Sequence, residues 1–235
     1  MAGADPRSIA VVVPAYQAAN TVGAVLSGVR RALPHAALYV VDDGSTDATR
    51  TVASGEGGHG ATVIVHDENQ GKGAALASGI GRAVADGGEL LVTLDADGQH
   101  PPELLPRLLE PLQRQEADLV LGARSRGGAM PLSRRATNWL SATVASRVAG
   151  TRIPDAQTGF RAFSRRVAVA LLPAIARYRG YDFEAVFLLG ALRAGFRVTS
   201  VDVPTIYSGS PSHFRHWADG WKVARVFARY FRGAA

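Results

Sequence analysis

The feature that most constrains the fold is an alternation. Short apolar runs at residues 9–13, 38–41, 61–65, 90–94 and 118–121 are separated by longer helix-like segments at 20–33, 46–54, 73–85 and 102–115. Runs this short, apolar along their length, are the pattern of strands buried on both faces. Strand, helix, strand at this spacing predicts an α/β fold, a parallel sheet with right-handed crossovers. Polar residues gather just after the strands, at Tyr16 and Gln17, at 42–47, at 69–72 and at 95–100. Ligands of open α/β sheets bind beyond the carboxyl ends of the strands, so these four loops are expected to share one crevice.

The second half is less regular. Residues 122–130 are rich in glycine and arginine, as a loop is; 133–149 read as a helix capped by Ser133, and 154–159 as a loop. A short strand is expected at 160–163, a helix at 182–194 ended by Gly195, and a last strand at 196–203. The apolar run 167–176 contains Pro173 and is bracketed by Arg165, Arg166 and Arg177. It falls well short of the roughly 20 residues a spanning helix needs.

Composition narrows the function classes. With 47% hydrophobic and 20% charged residues the chain has the make-up of a globular domain. It has no cysteine, which excludes disulfides, a thiolate zinc site and a cysteine nucleophile. The run 9–13 before Pro14 is too short for the hydrophobic part of a signal peptide, so a cytoplasmic location is expected. A net charge of +6 points to an anionic partner: nucleotide, nucleic acid or acidic membrane.

Three strings can carry chemistry. Asp95-Ala96-Asp97 follows a strand directly, with Gln99 two residues on. Alternate residues leaving a strand point the same way, so Asp95, Asp97 and Gln99 can offer hard oxygens to one Mg²⁺ or Mn²⁺, which a diphosphate would complete. The competing reading is an acidic turn capping the helix that Pro101 and Pro102 begin. In Val40 to Asp47, VVDDGSTD, Gly44 permits positive φ and Ser45 or Thr46 can cap a helix starting near Asp47. Asp42 and Asp43 need another account: acceptors for a base N–H or ribose hydroxyls, or two solvated turn residues. In Asn69 to Leu76, NQGKGAAL, Lys72 stands between glycines at a helix entrance, a place for an anion. It is no Walker A loop, because His66 and Gly73 replace the required glycine and Ser or Thr. Nor is it a dinucleotide fingerprint, because Leu76 replaces the last small residue and Pro14-Ala15-Tyr16 follows the first strand.

Taken in order, VVVPAYQAANTV, VVDDGSTDAT, NQGKGAAL and LDADGQHPPEL resemble the family 2 glycosyltransferases of GT-A fold. DAQTGFRAF and YSGSPSHFR narrow the resemblance to the branch of dolichyl- and polyprenyl-phosphate mannose and glucose synthases. It implies one domain over 1–235, with a nucleotide-sugar half at 1–122, an acceptor half at 123–212 and an amphipathic C-terminal helix at 213–235. Pro14, Tyr16, Asp42, Asp43, Gly71, Lys72, Asp95 and Ala96 would then line the nucleotide-sugar, with the metal on Asp95, Asp97 and Gln99. The cation stabilises the charge gained by the leaving diphosphate, which makes Asp97 a catalytic residue.

A lipid phosphate carries nearly two charges and can attack without a general base, but it needs a cationic cradle. Arg124, and Arg134 or Arg135, match the positions where the branch holds that phosphate, and Asn138, one turn after Arg134, can donate a further hydrogen bond; the competing reading is an ordinary solvated arginine face. An acceptor hydroxyl would instead need a carboxylate base, for which Glu184 and Asp155 are the candidates. Glu184 lies on a helix whose Phe183, Val186 and Phe187 face the core, so a surface position competes with that role. Asp155 and Gln157 match the family's acceptor loop, with Arg161 a partner for these carboxylates.

The chain departs from the branch near its end. Ser208 follows Tyr207 where an arginine is usual, and Ser212-His213 replaces a Ser-Lys pair, leaving His213, Arg215 and His216 as substitutes. From Trp217 to Arg232, Lys222, Arg225, Arg229 and Arg232 fall on one helical face and Trp217, Trp221, Phe227 and Phe231 on the other. That suits an anionic bilayer surface, or a final helix packed on the sheet. The expected partners are thus a nucleotide-sugar, a lipid phosphate, the cytosolic face of a membrane, where the protein would be peripheral, and a separate membrane protein, with no nucleic acid. The rivals are transfer to a glycan hydroxyl and a basic module that binds nucleic acid or membrane without catalysis.

Overall fold

The computed structural model describes residues 8–55, 60–124, 142–143, 145–147, 150, 152–180 and 183–204. Among the described residues seven strands form one sheet: β1 (Ile9–Ala15), β2 (Ala37–Asp43), β3 (Thr62–His66), β4 (Leu90–Thr93), β5 (Leu119–Arg124), β6 (Arg161–Ser164) and β7 (Val198–Val203). Their order is β3-β2-β1-β4-β6-β5-β7. All neighbours run parallel except β6, which is antiparallel to both β4 and β5. The sheet is thus mostly parallel and flanked by helices, as the resemblance implies, with one reversed strand contributed by the second half.

Helices cover both faces, and side-chain alternation along the strands decides which face each residue feeds. Val11 and Val13 of β1 join one core with α1 (Val22–Ala32) and α4 (Leu105–Gln113), while Ala10 and Val12 join the other with α3 (Lys72–Ala85), α5 (Arg165–Ile175) and α6 (Phe183–Arg193). In α4 the buried residues are Leu105, Leu108, Leu109 and Leu112, an apolar stripe at helical spacing. Burying each such leucine contributes about 1.5–3 kcal/mol. Pro14 is tolerated inside the sheet because it lies beyond Val12, the last β1 residue paired with β4.

Some local expectations change. Helix α2 (Thr49–Ser54) begins after the motif, and Ser45 and Thr46 do not cap it. They accept hydrogen bonds from Gln17 instead, Ser45 Oγ from its backbone N at 3.0 Å and Thr46 Oγ1 from its Nε2 at 2.7 Å. The apolar run read only for membrane spanning is α5, with Ser164 as its N-cap. The helix expected over 133–149 is described at 142–143 and 145–147, where it is helical. No helix among the described residues is long and apolar enough to cross a membrane.

Candidate active site

The predicted loops meet at the carboxyl end of the parallel strands. The first two are stitched together: Gln17, held at φ 50°, accepts from Asp47 N at 3.2 Å, and Ala19 N donates to Asp47 Oδ2 at 3.1 Å. These hydrogen bonds fix the approach beside Tyr16, which is 39% exposed just past β1. Asp42 and Asp43 are not solvated turn residues; both are buried. Asp42 Oδ1 accepts from Ser45 N at 3.1 Å. Asp43 is more heavily engaged: Oδ1 meets His66 Nδ1 at 2.7 Å and Gln70 N at 3.0 Å, and Oδ2 accepts from Gly71 N at 2.8 Å.

Gly71 turns the chain with φ 97°, and a Cβ there would collide with the Arg179 carbonyl. That same carbonyl accepts from Gly73 N at 2.9 Å. The turn, pinned on two sides, opens α3 and delivers Lys72 inward. Lys72 Nζ lies 2.8 Å from Asp95 Oδ1, 2.9 Å from Asp95 Oδ2 and 2.9 Å from Glu184 Oε1. Burial opposes charge on the ammonium, but the Asp95 and Glu184 carboxylates outweigh it and hold the Lys72 pKa well above the usual lysine range.

Glu184 sits on α6 and is 3% exposed, so the surface position is corrected. Helix α6 is apolar nearly all round, and its buried face includes Phe183, Glu184, Phe187 and Leu188. Glu184 Oε2 accepts no hydrogen bond among the described residues. Behind it, Arg161 spreads its guanidinium over three backbone carbonyls: Thr158 O at 2.7 Å, Glu184 O at 2.8 Å and Ala156 O at 3.1 Å. Burial pulls its pKa down to about 10, against the charges of Glu184, Asp155 and Asp95. Arg161 therefore braces the backbone at Glu184 instead of forming the expected carboxylate pair. Asp155 is buried in the loop before β6, where Oδ1 accepts from Gln157 N at 3.1 Å.

In the loop after β4, Asp95 and Asp97 are partly exposed on either side of Ala96, which packs into the core; the chain then turns at Gly98, φ 72°, and Gln99 is partly exposed beyond it. Asp97 Oδ1 accepts from Gln99 N at 2.9 Å. Among the described residues no three His, Asp or Glu side chains form a complete metal cage. Two carboxylates and a carboxamide nevertheless suit a hard cation that takes its remaining ligands from water and phosphate. Asp95 is backed by Gly159, where a Cβ would come within 2.5 Å of Asp95 Oδ2. Thr93 Oγ1 fixes that glycine by donating to its carbonyl at 2.8 Å.

Arg124 ends β5, in register with Val203. Arg134, Arg135 and Asn138 lie outside the described residues, as do His213, Arg215, His216 and the C-terminal helix. Sequence reasoning missed the contributions of His66, Gly159 and Arg179. His66 was within reach of it, because pairing β2 with β3 puts Asp43 opposite His66.

Comparison of the chain with known proteins finds both a family and a fold. The model of the family described as Glycosyl transferase family 2 matches residues 10–172. An undecaprenyl-phosphate mannosyltransferase of Micrococcus luteus is 31% identical, covering 83% of this chain and 82% of its own. The polyprenol monophosphomannose synthase of Mycolicibacterium smegmatis is 30% identical over 86% of this chain and 81% of its own. A dolichyl-phosphate hexose transferase of Haloferax volcanii is 31% identical over 83% and 82%. Among solved structures, glucosyl-3-phosphoglycerate synthase from Mycobacterium tuberculosis, in complex with Mn²⁺, UDP and glucosyl-3-phosphoglycerate, superposes with a TM-score of 0.74 at 22% identity. That alignment covers 97% of this chain and 80% of the other, and the shared fold is GT-A.

Proposed function

We propose that this chain, which belongs to glycosyl transferase family 2, transfers a hexose from a nucleotide-sugar to a polyprenyl phosphate with inversion at the anomeric carbon. The names of its relatives support the acceptor class: undecaprenyl phosphate, polyprenol phosphate and dolichyl phosphate. The observation that carries the reading is the position of Lys72 between Asp95 and Glu184. A hydroxyl acceptor needs a base to take its proton, and each candidate carboxylate already has one oxygen engaged, Glu184 Oε1 by the Lys72 ammonium and Asp155 Oδ1 by the Gln157 amide. A phosphate monoester brings its own charge, so no proton has to move.

The donor's nucleoside lies by Pro14, Tyr16 and Asp42, with Gly71, Lys72, Asp95 and the Ala96 backbone beside the diphosphate and sugar. Asp43 acts through the turn it holds. Asp97 and Gln99, with Asp95, would hold Mg²⁺ or Mn²⁺, which when bound neutralises charge on the leaving diphosphate. An acceptor phosphate oxygen, held by Arg124, Arg134, Arg135 and Asn138, bonds to the anomeric carbon on the face opposite the diphosphate. The bond from that carbon to the diphosphate oxygen breaks, and its electron pair leaves with the nucleoside diphosphate. The lipid acceptor places the protein peripherally on the cytosolic face of an anionic membrane, through residues 217–232.

The test incubates the full chain with Mn²⁺, a polyprenyl phosphate in detergent, a free oligosaccharide as competing acceptor, and radiolabelled GDP-mannose or UDP-glucose. Label entering the organic phase from one donor, with the β-linkage expected of inversion from an α-linked sugar, supports the proposal. No lipid-linked label from either donor, with label on a free glycan instead, overturns it.

A further inference from the structure

His66 belongs to none of the groups assigned so far, yet it sits at the centre of a partly buried chain of hydrogen bonds. Its Nδ1 lies 2.7 Å from Asp43 Oδ1 and its Nε2 3.0 Å from Ser78 Oγ on α3. A carboxylate can only accept, so Nδ1 carries the hydrogen, while Nε2 shares a hydrogen bond with the Ser78 hydroxyl. Asp43 passes the constraint on through Oδ1 to Gln70 N and Oδ2 to Gly71 N. The next residue is Lys72, whose ammonium spans Asp95 and Glu184. The order Asp, His, Ser looks like a nucleophilic triad. Here, however, the carboxylate spends both oxygens on its own protein's donors, and the serine lies inside the helix Lys72–Ala85.

We propose that His66 is a positioning residue for the donor site: through Asp43 it sets the Gln70-Gly71 turn and hence where Lys72 stands. The side chains of Asp43 and His66 are 4% and 9% exposed, so water is a poor substitute donor if the imidazole is removed. Asp43 would then rotate to recover a partner and release one or both turn amides. The inference rests on the proposed donor reading only for what the turn is placed to meet; the clamp itself can be measured without any donor.

Two conservative replacements separate positioning from volume. The amide of His66→Asn falls where Nδ1 stood and still donates to Asp43. The amide of His66→Gln falls nearer Nε2 and reaches Ser78 instead. Amide hydrogen exchange on the ligand-free full chain is read at Gln70 and Gly71, with Val12 and Leu91 as core references. Calorimetry with UDP and with GDP, each with Mn²⁺, is read in parallel. Losing one backbone hydrogen bond corresponds to roughly five- to tenfold. Exchange at Gln70 and Gly71 is therefore expected to rise about tenfold in His66→Gln and nucleoside diphosphate affinity to fall by about the same factor. His66→Asn should stay within about threefold of the parent protein. Equal protection in all three proteins, or equal loss in both variants, overturns the inference. If His66→Gln does not fold, His66→Asn decides alone, since loss of protection there overturns it and retention supports it. A parent protein that binds neither nucleotide overturns the donor reading, while the exchange data still decide the clamp.

Discussion

Glu184 Oε1 lies 2.9 Å from the Lys72 ammonium, joining a helix of the second half of the chain to the turn that opens α3. The same ammonium holds Asp95, so three elements distant in sequence share one cation. Removing that cation takes this ion pair from two carboxylates, one of them buried. Breaking a buried pair costs about 3–5 kcal/mol, less where water reaches one member, as it does Asp95. Lys72→Met should lower the melting temperature by roughly 5–10 °C and activity by at least about 100-fold, measured by calorimetric melting and sugar transfer.

Glu184→Gln and Asp155→Asn divide the two acceptor classes. Loss of a general base costs about 10²–10⁴ in rate, whereas an amide oxygen can still accept from Lys72 or from the Gln157 amide. Both variants should keep transfer to a lipid phosphate within about tenfold. A collapse of either beyond about 100-fold, with folding intact by circular dichroism, would favour the hydroxyl acceptor.

Gly159→Ala tests how tightly the loop before β6 fixes Asp95. The new methyl group would stand 2.5–2.8 Å from both Asp95 oxygens, so the carboxylate must move and Lys72 with it. Activity should fall about 10- to 100-fold while the melting temperature drops by no more than about 5 °C. A fully active variant would mean that Asp95 does not need its present position.

Asp97→Asn isolates the metal. Replacing one charged ligand of the proposed metal site by a neutral one should weaken Mn²⁺-dependent nucleoside diphosphate binding about 10- to 100-fold, read by calorimetry with and without chelator. Equal affinity of parent and variant in the presence of Mn²⁺ would remove Asp97 from the metal site.

Tyr39 gives a pH test outside the site. Burial, then its hydrogen bond to Asp86 at 3.0 Å, pushes its pKa up to about 12 from 10.0. The fold favours the neutral phenol, so this contribution is complete below pH 10 and is lost as pH rises towards 12. Tyrosinate absorbance should show one group titrating near pH 12, absent in Tyr39→Phe, and the alkaline stability of that variant should be less steep over the same window.

The first five strands were legible because each is a short apolar run between helical patterns, and the rule that ligands sit beyond parallel strand ends located the loops. Glu184 was misplaced because amphipathicity assigns a glutamate to the wet face, and α6 has almost no wet face near its start. Its partner Lys72 lies on another element, which periodicity cannot bring near. Helix α5 was passed over because Pro173 interrupts its run, although Ser164 stood ready as its cap. The pairing expected of Arg161 failed because carbonyl geometry in the loop it braces is not written in any spacing.

The reversed direction of β6 has its own consequence. An antiparallel strand starts where its parallel neighbours stop, so Arg161, level with Thr93, enters the sheet at the rim where the first half presents Asp95. A shift of the loop before β6 would therefore press at once on the Asp95 carboxylate through Gly159, so that under the proposed function a change made in the acceptor half is felt in the donor half.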